Sequence, residues 1–226
     1  MEDLVVSENL EIQSHKGTYS VFIDSKWLEN LATISLEGMH FLVDSKVAVL
    51  YAKQLAPILD NPKTILIDAT EKNKSIEGII PVIEKLVVNN ARRGHTLVAI
   101  GGGIIQDITC FIASTFLRGV NWKFIPTTLL AQADSCIGSK SSINLGDTKN
   151  ILGTFNPPNE IFICPEFLNT LDDRELHSGI GEILKVHAID SMDSFNQLSI
   201  HYDKLKTDRS ILNLSLIHIS EPTRPY

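Results

Sequence analysis

The sequence TLVAIGGGIIQDITCFIASTF (residues 96–116) predicts a buried β-strand, a glycine turn and an amphipathic helix in direct succession. The strand is predicted at Thr96–Ile100, and the helix has an apolar stripe formed by Ile108, Phe111, Ile112, Thr115 and Phe116. Glycines without Cβ atoms let the backbone approach a ligand, and a helix N-terminus offers free N–H groups to a pyrophosphate. The motif is not GxGxxG, however, so a plain tight turn explains it equally well.

Strands and helices alternate on both sides of this unit. Five further strands are predicted, at Tyr19–Ile23, His40–Val43, Thr64–Ile67, Trp122–Ile125 and Ile161–Cys164. Two further helical stripes are formed by Val47, Leu50, Tyr51, Leu55, Ile58 and Leu59, and by Ile76, Ile79, Ile80, Ile83, Leu86 and Val87. This alternation predicts an α/β fold with a Rossmann-like, mainly parallel sheet. Ligands of such sheets bind beyond the carboxyl ends of the strands, here the loops after Val43, Ile67, Ile100 and Ile125.

Composition narrows the functional class. The 226 residues carry 20 Lys and Arg against 27 Asp and Glu, and the net charge of −7 argues against a general nucleic-acid binder. Three widely spaced cysteines without a CxxC pair favour a reducing compartment over a disulfide framework or a zinc cluster. No apolar run approaches the roughly 18 residues of a membrane span, and the acidic start is unlike a signal peptide. We therefore expect a cytoplasmic protein without membrane contact.

A polar stretch from Asp134 to Pro158, DSCIGSKSSINLGDTKNILGTFNPP, follows the predicted strands. A long polar loop inside a compact domain is either disordered or functional. Thr170–Asp173 is typical of a capping box and predicts a helix through about Ile189. Its apolar face is formed by Leu176, Ile180, Ile183 and Leu184.

Several charged and polar residues at strand ends are candidates for a site. Asp44 ends a predicted strand, where a carboxylate accepts ribose hydroxyls or is simply exposed. Glu71 and Lys74 follow another strand, but taken alone they are better explained as a solvated charge run. Thr127 and Thr128 either bind a cofactor or cap a helix. Cations gather around the polar stretch, where lysines act as partners for phosphate or as solvated surface charges.

Glu182 and Lys185 are three residues apart on a predicted helix and therefore share a face. They form either a surface ion pair or a metal-ligand carboxylate with a catalytic lysine beside it. His177 and His187 are each five residues from Glu182, which places them too far around the helix to share its metal. Both histidines are interpreted as structural.

The last thirteen residues, LSLIHISEPTRPY (Leu214–Tyr226), resemble the translation of a sequencing-library adaptor more than a natural basic tail. On this interpretation the genuine sequence stops near Asn213 and a C-terminal region is missing. We expect an NAD-binding α/β domain at residues 1–170, the start of a helical domain at 171–213 and an artefactual tail at 214–226.

Together the motifs resemble the 3-dehydroquinate synthase family of sugar phosphate cyclases, over roughly Asp44 to Asp190. The resemblance is carried by TEKNKS (70–75), GGGIIQD (101–107), FLRGVNWKFIPTTLLAQADSCIGSK (116–140), TKNILGTFNPP (148–158) and FLNTLDDRELHSGIGEILK (167–185). Several ordered blocks at compatible spacings are more specific than any one of them. The resemblance implies an α/β domain followed by an all-α domain that contributes metal ligands.

The resemblance also implies site residues and cofactors. The NAD site is implied for Asp44, Glu71, Lys74, Gly102, Gly103, Asp107, Thr127, Thr128, Phe167 and Thr170. Substrate-binding or catalytic positions are implied for Arg118, Asp134, Lys140, Lys149, Asn150 and Lys185. Glu182 corresponds to the metal-ligand glutamate for a divalent ion, Zn²⁺ or Co²⁺, and two histidine ligands are expected in the missing domain. His201 and His218 are poor substitutes for them.

The implied activity is NAD- and metal-dependent carbocycle formation with loss of phosphate. The simplest case is conversion of DAHP to 3-dehydroquinate in the shikimate pathway by a homodimeric enzyme, and the chain as it stands is expected to be inactive. Three positions or segments differ from the family. The family usually has Gly where this chain has Gln106, and an Asp in the segment occupied by Ala69-Thr70. It also has Gly-Lys-Thr-Gly-Val-Asn-His where this chain has Ser139–Leu145. These differences leave open a cyclase for sedoheptulose 7-phosphate or glucose 6-phosphate. A polyol or iron-type alcohol dehydrogenase is a further alternative, although a simple alcohol gives the loop lysines no anion to bind.

Overall fold

The computed structural model describes residues 8–24, 26–196 and 199–200. Within these residues, nine strands are formed by Glu8–Ser14 (β1), Gly17–Ile23 (β2), Met39–Asp44 (β3), Thr64–Ile67 (β4), Thr96–Gly101 (β5), Asn121–Pro126 (β6), Lys140–Leu145 (β7), Thr148–Phe155 (β8) and Glu160–Ile163 (β9). Seven of them form one sheet in the order β1-β2-β9-β6-β5-β3-β4. All neighbours in this sheet are parallel except β1 and β2, which pair as an antiparallel hairpin. The predicted α/β fold with a mainly parallel, Rossmann-like sheet is confirmed.

Helices cover both faces of the sheet. Their bounds are Trp27–Asn30 (α1), Ser45–Leu50 (α2), Ala56–Leu59 (α3), Ile76–Val88 (α4), Gly103–Thr115 (α5) and Asp173–Asp190 (α6). Alternate residues of β5 point to opposite faces, with Leu97 and Ala99 packing with α4, α5 and α6, and Val98 and Ile100 packing with α1, α2 and α3. Burial on both faces explains why the inner strands are continuous apolar runs.

The six predicted strands all occur, with boundaries shifted by at most two residues. The first helical stripe divides into α2 and α3, and Leu50 is exposed. The apolar face of α6 is confirmed, but the capping box at Thr170 was wrong. Asp172 is the N-cap instead, because its carboxylate accepts the backbone N–H of Glu175.

The polar stretch after β6 is ordered rather than a loop. A π-helical turn at Ala131–Ser135 (the π-turn) is followed by the β7–β8 hairpin, which packs against α5. A 3₁₀ segment at Pro165–Thr170 then leads into α6. Within the described residues, every helix is too short or too polar to cross a bilayer.

Candidate active site

The glycine turn lies where β3, β5 and β6 end at the same edge of the sheet. Gly102 is the N-cap of α5, and a Cβ atom there would lie 3.0 Å from Cγ2 of Thr128. A Cβ atom at Gly101 would lie 2.5 Å from Cγ1 of Ile105. The backbone N–H of Thr127 donates to the carbonyl of Gly101 over 3.0 Å, which fixes the loop after β6 against the turn. A side chain at Gly101 would therefore overlap with Ile105 and one at Gly102 would crowd Thr128, so close packing favours glycine at both positions.

A cleft of about 460 Å³ opens above this turn. It is lined by Asp44, Ser45, Lys46, Asp68, Ala69, Gly102, Gly103, Ile104, Thr128 and Glu175. Asp44 ends β3 and caps α2, because its Oδ1 atom accepts the backbone N–H of Lys46 over 2.9 Å. Burial raises the pKa of Asp44 above its usual range. The free N–H groups of α5 also face this space, so the cleft suits an anion with a ribose beside it.

A smaller recess continues from the cleft beneath α2. Thr127, Phe167 and Thr170 line it together with Tyr51. The ring of Phe167 meets that of Tyr51 edge-on with centroids 4.8 Å apart, and the hydroxyl of Thr170 donates to that of Tyr51 over 3.1 Å. Seven of the ten predicted NAD residues thus line one continuous surface, namely Asp44, Gly102, Gly103, Thr127, Thr128, Phe167 and Thr170.

The rim of the cleft contains charged residues that sequence reasoning missed. Lys46 Nζ lies 3.2 Å from Oε1 of Glu175 and 3.5 Å from Oδ2 of Asp172, so it connects α2 to the start of α6. Asp68 lines the same cleft. Lys46 follows Asp44 by two positions, but nothing in the spacing links it to residues about 130 positions away.

The other three predicted NAD residues meet around one buried ammonium group. Lys74 has a side chain that is 8% exposed, and its Nζ atom lies 3.2 Å from Oδ2 of Asp107 and 3.7 Å from Oε1 of Glu71. It also donates to Oδ1 of Asn150 over 2.9 Å. We call Glu71, Lys74, Asp107, Asn144 and Asn150 the lysine cluster. Burial raises the pKa of Asp107, whereas the amide of Asn144, followed by the charges of Lys74 and Lys149, lowers the pKa of Glu71.

Asn150 is held in one orientation within this cluster. Its backbone has a φ of 55°, in the left-handed region. Its Oδ1 atom accepts both from Lys74 and from the hydroxyl of Ser142, the latter over 3.1 Å. An ammonium group can only donate, so this contact assigns the amide oxygen. The Nδ2 group donates to none of the described residues and is free to donate to a ligand oxygen.

Glu182, Lys185 and Asp134 form a second group, on α6 and the π-turn. Lys185 donates to Oε1 of Glu182, and its Nζ atom lies 3.9 Å from Oδ2 of Asp134. A hydrogen bond with Asp134, together with burial, raises the pKa of Glu182. The carboxylate of Glu182 is 18% exposed, while Lys185 is 54% exposed. The side chains of Glu182 and Asp134 are therefore both largely buried, and both lie beside the ammonium group of Lys185.

Tight packing joins α6 to the loop after β6. A Cβ atom at Gly179 would lie 2.4 Å from Cγ of Leu129, so the absence of a side chain lets Leu129 pack against the helix. Leu129 directly follows Thr128, which contacts Gly102. Side-chain contacts of Leu129 and Thr128 therefore connect α6, the helix that carries Glu182, to the glycine turn.

The remaining predicted residues are less tightly placed. Lys140 begins β7 and Lys149 lies in β8, and both are exposed on the hairpin. Lys149 is close enough to Glu71 to lower the pKa of that residue. Arg118 follows the C-terminal end of α5, a helix of 13 residues and hence about 20 Å long. Within this chain Arg118 therefore lies at the opposite edge of the sheet from the glycine turn.

The family model described as 3-dehydroquinate synthase N-terminal matches residues 64–178, about half of the chain. The chain belongs to this family. The resemblance predicted from the motifs is confirmed, and the matched range includes both the glycine turn and the β7–β8 hairpin.

Two 3-dehydroquinate synthases are among the similar proteins of this family. The one from Clostridium acetobutylicum is 34% identical over 215 residues, which cover 91% of this chain and 59% of that protein. The one from Campylobacter fetus is 35% identical over 190 residues, which cover 83% of this chain and 54% of that protein. The chain thus spans little more than half the length of these relatives.

Solved structures of cyclases share the fold. 2-epi-5-epi-valiolone synthase from Streptomyces hygroscopicus, with NAD⁺ and Zn²⁺ bound, has a TM-score of 0.80 and 31% identity over 95% of this chain and 61% of that chain. 2-deoxy-scyllo-inosose synthase, complexed with carbaglucose-6-phosphate, NAD⁺ and Co²⁺, has a TM-score of 0.71 and 22% identity over 80% of this chain and 51% of that chain. An iron-containing alcohol dehydrogenase from Thermotoga maritima has a TM-score of 0.64 at 17% identity, covering 95% of this chain and 67% of that chain. At such identities the latter two show the fold alone.

Gln106, where the family usually has glycine, joins α5 to the π-turn. Its Nε2 atom donates to the carbonyl of Ser135 over 2.6 Å, and the hydroxyl of Ser135 donates back to Oε1 over 2.8 Å. Ser135 directly follows Asp134. The long side chain thus fixes the π-turn by two hydrogen bonds that a glycine would lack.

A complete metal site is not found among residues 8–24, 26–196 and 199–200, which contain no group of three or more potential ligands. Glu182 and Asp134 supply carboxylate oxygens, whereas catalytic zinc sites use three protein ligands. Nδ1 of His187 lies 2.7 Å from the hydroxyl of Ser194, in agreement with a structural role. His201 and His218 lie outside the described residues.

Proposed function

We propose that this chain is the cofactor-binding part of an NAD- and metal-dependent lyase that forms a carbocycle from a sugar phosphate with loss of phosphate. The simplest assignment is 3-dehydroquinate synthase, acting on DAHP in the shikimate pathway. The observation that carries the proposal is the lysine cluster, in which Lys74 contacts both Asp107 and Asn150 and which begins shortly after the cleft residues Asp68 and Ala69. Family membership and the synthases that match the chain support it.

The cleft and recess fit NAD. The N–H groups at Gly102 and Gly103 would bind the pyrophosphate, and Asp44 would accept hydroxyls of a ribose. Thr127, Thr128, Phe167 and Thr170 would hold the cofactor along the recess, and Glu71, Lys74 and Asp107 would bind toward its reactive end. When bound, NAD supplies a hydride acceptor that is regenerated within each turnover.

The substrate would bind between the hairpin and α6. Lys140, Lys149 and Lys185 would stabilise phosphate and enolate charge, because fixed cations act most strongly where negative charge develops. Asn150 would orient the substrate through its Nδ2 group, and Asp134 would act beside Lys185. Arg118 stays a prediction from the resemblance, since it lies at the other end of α5.

Glu182 is proposed as one ligand of a divalent ion, Zn²⁺ or Co²⁺. Its carboxylate lies next to Asp134, and a cation there would offset the repulsion between the two groups. We assign the ion this single ligand within the described residues. The domain division at residues 170 and 213, the artefactual tail at 214–226, a homodimeric intact enzyme and a cytoplasmic location are also proposals.

A related cyclase is the second candidate. The matched structure of 2-epi-5-epi-valiolone synthase supports it, as do the departures from the family pattern at Ser139–Leu145. A sedoheptulose 7-phosphate or glucose 6-phosphate substrate would then replace DAHP. The alcohol dehydrogenase alternative has only the fold in its favour, at 17% identity.

The decisive experiment uses a protein that carries this chain together with the proposed C-terminal helical domain, supplied with each sugar phosphate, and it records inorganic phosphate and the absorbance of NADH together. The proposal expects phosphate release without net NADH, since the hydride returns to the product. Steady NADH accumulation with a simple alcohol would instead identify a dehydrogenase. The 226-residue chain is expected to bind NAD⁺ without releasing phosphate; phosphate release by purified chain would contradict that expectation.

A further inference from the structure

Asn144 occupies an irregular position in the β7–β8 hairpin. The pairing of β7 with β8 shifts register between Ile143 and Leu145, so Asn144 has no partner across the hairpin ladder. Its backbone N–H points to the neighbouring loop instead and donates to the carbonyl of Lys74 over 2.8 Å. The residue is 5% exposed. Bulges of this kind redirect side chains beside functional sites.

The buried side chain of Asn144 contacts both sides of the lysine cluster. Its Nδ2 group donates to Oε2 of Glu71 over 3.0 Å and to the carbonyl of the same residue over 3.2 Å. Its Oδ1 atom accepts the backbone N–H of Asn150 over 2.9 Å. Asn144 thus connects the loop that carries Lys74 to the residue that this ammonium contacts.

We propose that Asn144 is a positioning residue, whose single buried amide holds the Glu71–Lys74 loop and the turn at Asn150 together and so directs Lys74 onto Asn150. This inference rests on the proposed function, in which Glu71 and Lys74 bind NAD and Asn150 binds substrate. Asn144 is not among the residues assigned to either ligand, and it would act through these neighbours.

The chemistry explains why a neutral amide is needed at this position. Glu71 requires a donor and the N–H of Asn150 requires an acceptor, and an amide offers both. The substitution Asn144→Asp keeps the acceptor but removes the donor, and it adds a carboxylate beside that of Glu71. Protonation of the introduced carboxyl would restore a donor of nearly the same shape. Lowering the pH should therefore restore NAD⁺ binding by this variant. A defect caused by lost packing would not respond to pH in this way.

The test compares the full 226-residue wild type with Asn144→Asp, Asn144→Ala and the control Asn159→Asp. Asn159 makes a structural contact away from the cluster, where its Oδ1 atom accepts the N–H of Trp122 over 3.0 Å, and aspartate preserves that acceptor. NAD⁺ affinity is measured by calorimetry between about pH 5 and 8, where carboxyl groups with raised pKa values titrate. Titration of the Glu71 carboxyl carbon is followed by NMR in the same proteins.

We expect Asn144→Asp to weaken NAD⁺ binding about tenfold at the alkaline end, as for loss of a hydrogen bond to a charged group, and the defect to narrow as the pH falls. The Asn144→Ala variant should bind NAD⁺ more weakly than the wild type at every pH, and its Glu71 should titrate at higher pH than in the wild type. Asn159→Asp should match the wild type in both measurements.

Equal affinities of wild type and Asn144→Asp at every pH would overturn the proposal. So would a pH-independent defect in that variant. If Asn144→Ala fails to fold, the aspartate variant decides. If the wild type binds no NAD⁺, the proposed function of this chain fails. The positioning role is then judged from the titration of Glu71 in the Asn144 variants: an unchanged titration would overturn it, and a shifted titration would support it.

Discussion

The Nζ atom of Lys74 lies 3.2 Å from Oδ2 of Asp107, and the two charges come from elements 33 residues apart. Lys74 is buried and Asp107 is largely so. An ion pair in such a place is costly to separate, because the remaining charge loses its partner without regaining water.

Lys74→Met should therefore lower the free energy of unfolding by about 2 kcal/mol near neutral pH, less than for a fully buried pair. The loss should shrink as the pH falls, since the already raised pKa of Asp107 would rise further and a neutral carboxyl needs no cation. Urea denaturation at several pH values measures both effects. Lys85→Met, on the exposed face of α4, is the control and should change little. An equal loss in the two variants would contradict the role of the pair.

Alanine substitutions at two glycines of α6 should change the stability of the protein in opposite directions. At Gly179 a methyl group would overlap with Leu129, so Gly179→Ala should destabilise by about 1–3 kcal/mol. At Gly181 the added atom meets nothing within 4 Å, so Gly181→Ala should stabilise by about 0.5–1 kcal/mol through helix propensity. Thermal and urea denaturation distinguish the two. Stabilisation by both substitutions would show that Leu129 does not pack tightly against α6.

Stability should fall in mild acid because of His40. This histidine is fully buried, its ring stacks on that of His95, and burial followed by the charge of Lys63 lowers its pKa to about 4. Between about pH 6.5 and 4 the unfolded chain binds a proton that the folded protein does not, so lowering the pH favours unfolding. The effect should be of the order of 2 kcal/mol. His40→Gln should flatten this dependence, whereas His15→Gln, at an exposed site, should retain it.

Gln106 and Ser135 should be energetically coupled. Gln106→Ala removes both hydrogen bonds to Ser135, and Ser135→Ala removes the one made by the hydroxyl. We expect a coupling energy of about 1 kcal/mol in a double-mutant cycle, since the contact is partly buried. Additive losses would mean that the side chains stabilise the protein independently. The cycle is measured by urea denaturation of the four proteins.

Asp44→Asn should weaken NAD⁺ binding about tenfold, as for a hydrogen bond with a charged acceptor, while leaving stability nearly unchanged. Asparagine is as good an N-cap as aspartate, so α2 keeps its capping bond. Calorimetry of NAD⁺ binding measures the change. Asp60→Asn, at the C-cap of α3 and outside the cleft, is the matched control. A similar loss in the control would point to a general effect of charge.

The sheet was predictable because its inner strands are buried on both faces. β5 is apolar from Leu97 to Ile100, and such runs stand out against polar turns. β1 was missed because it lies at the edge of the sheet, with Leu10 and Ile12 as its apolar residues. The β7–β8 hairpin was missed because β8 is largely exposed, so hydrogen bonding across the hairpin and contact with α5 define it rather than a pattern of burial.

The candidate site was only partly visible in the sequence. Strand-end positions directed attention to Asp44 and the glycine turn, which follow from parallel topology. Lys74 and Asn150 are 76 residues apart, and no local pattern joins them. Their roles were assigned through the resemblance to known enzymes, and those roles stay predictions. Asn144 and Lys46 carry no comparable signal, because their importance comes from contacts between distant parts of the chain.

The close packing of Leu129 against Gly179 affects how α6 can move. Because Leu129 packs against α6 at Gly179, a rotation or shift of the helix would be expected to displace the loop that leads back to Thr128. Closely packed interiors transmit such displacements instead of absorbing them. In the proposed function, cofactor binding near Thr128 and metal binding at Glu182 would therefore be coupled through the contact between Leu129 and Gly179.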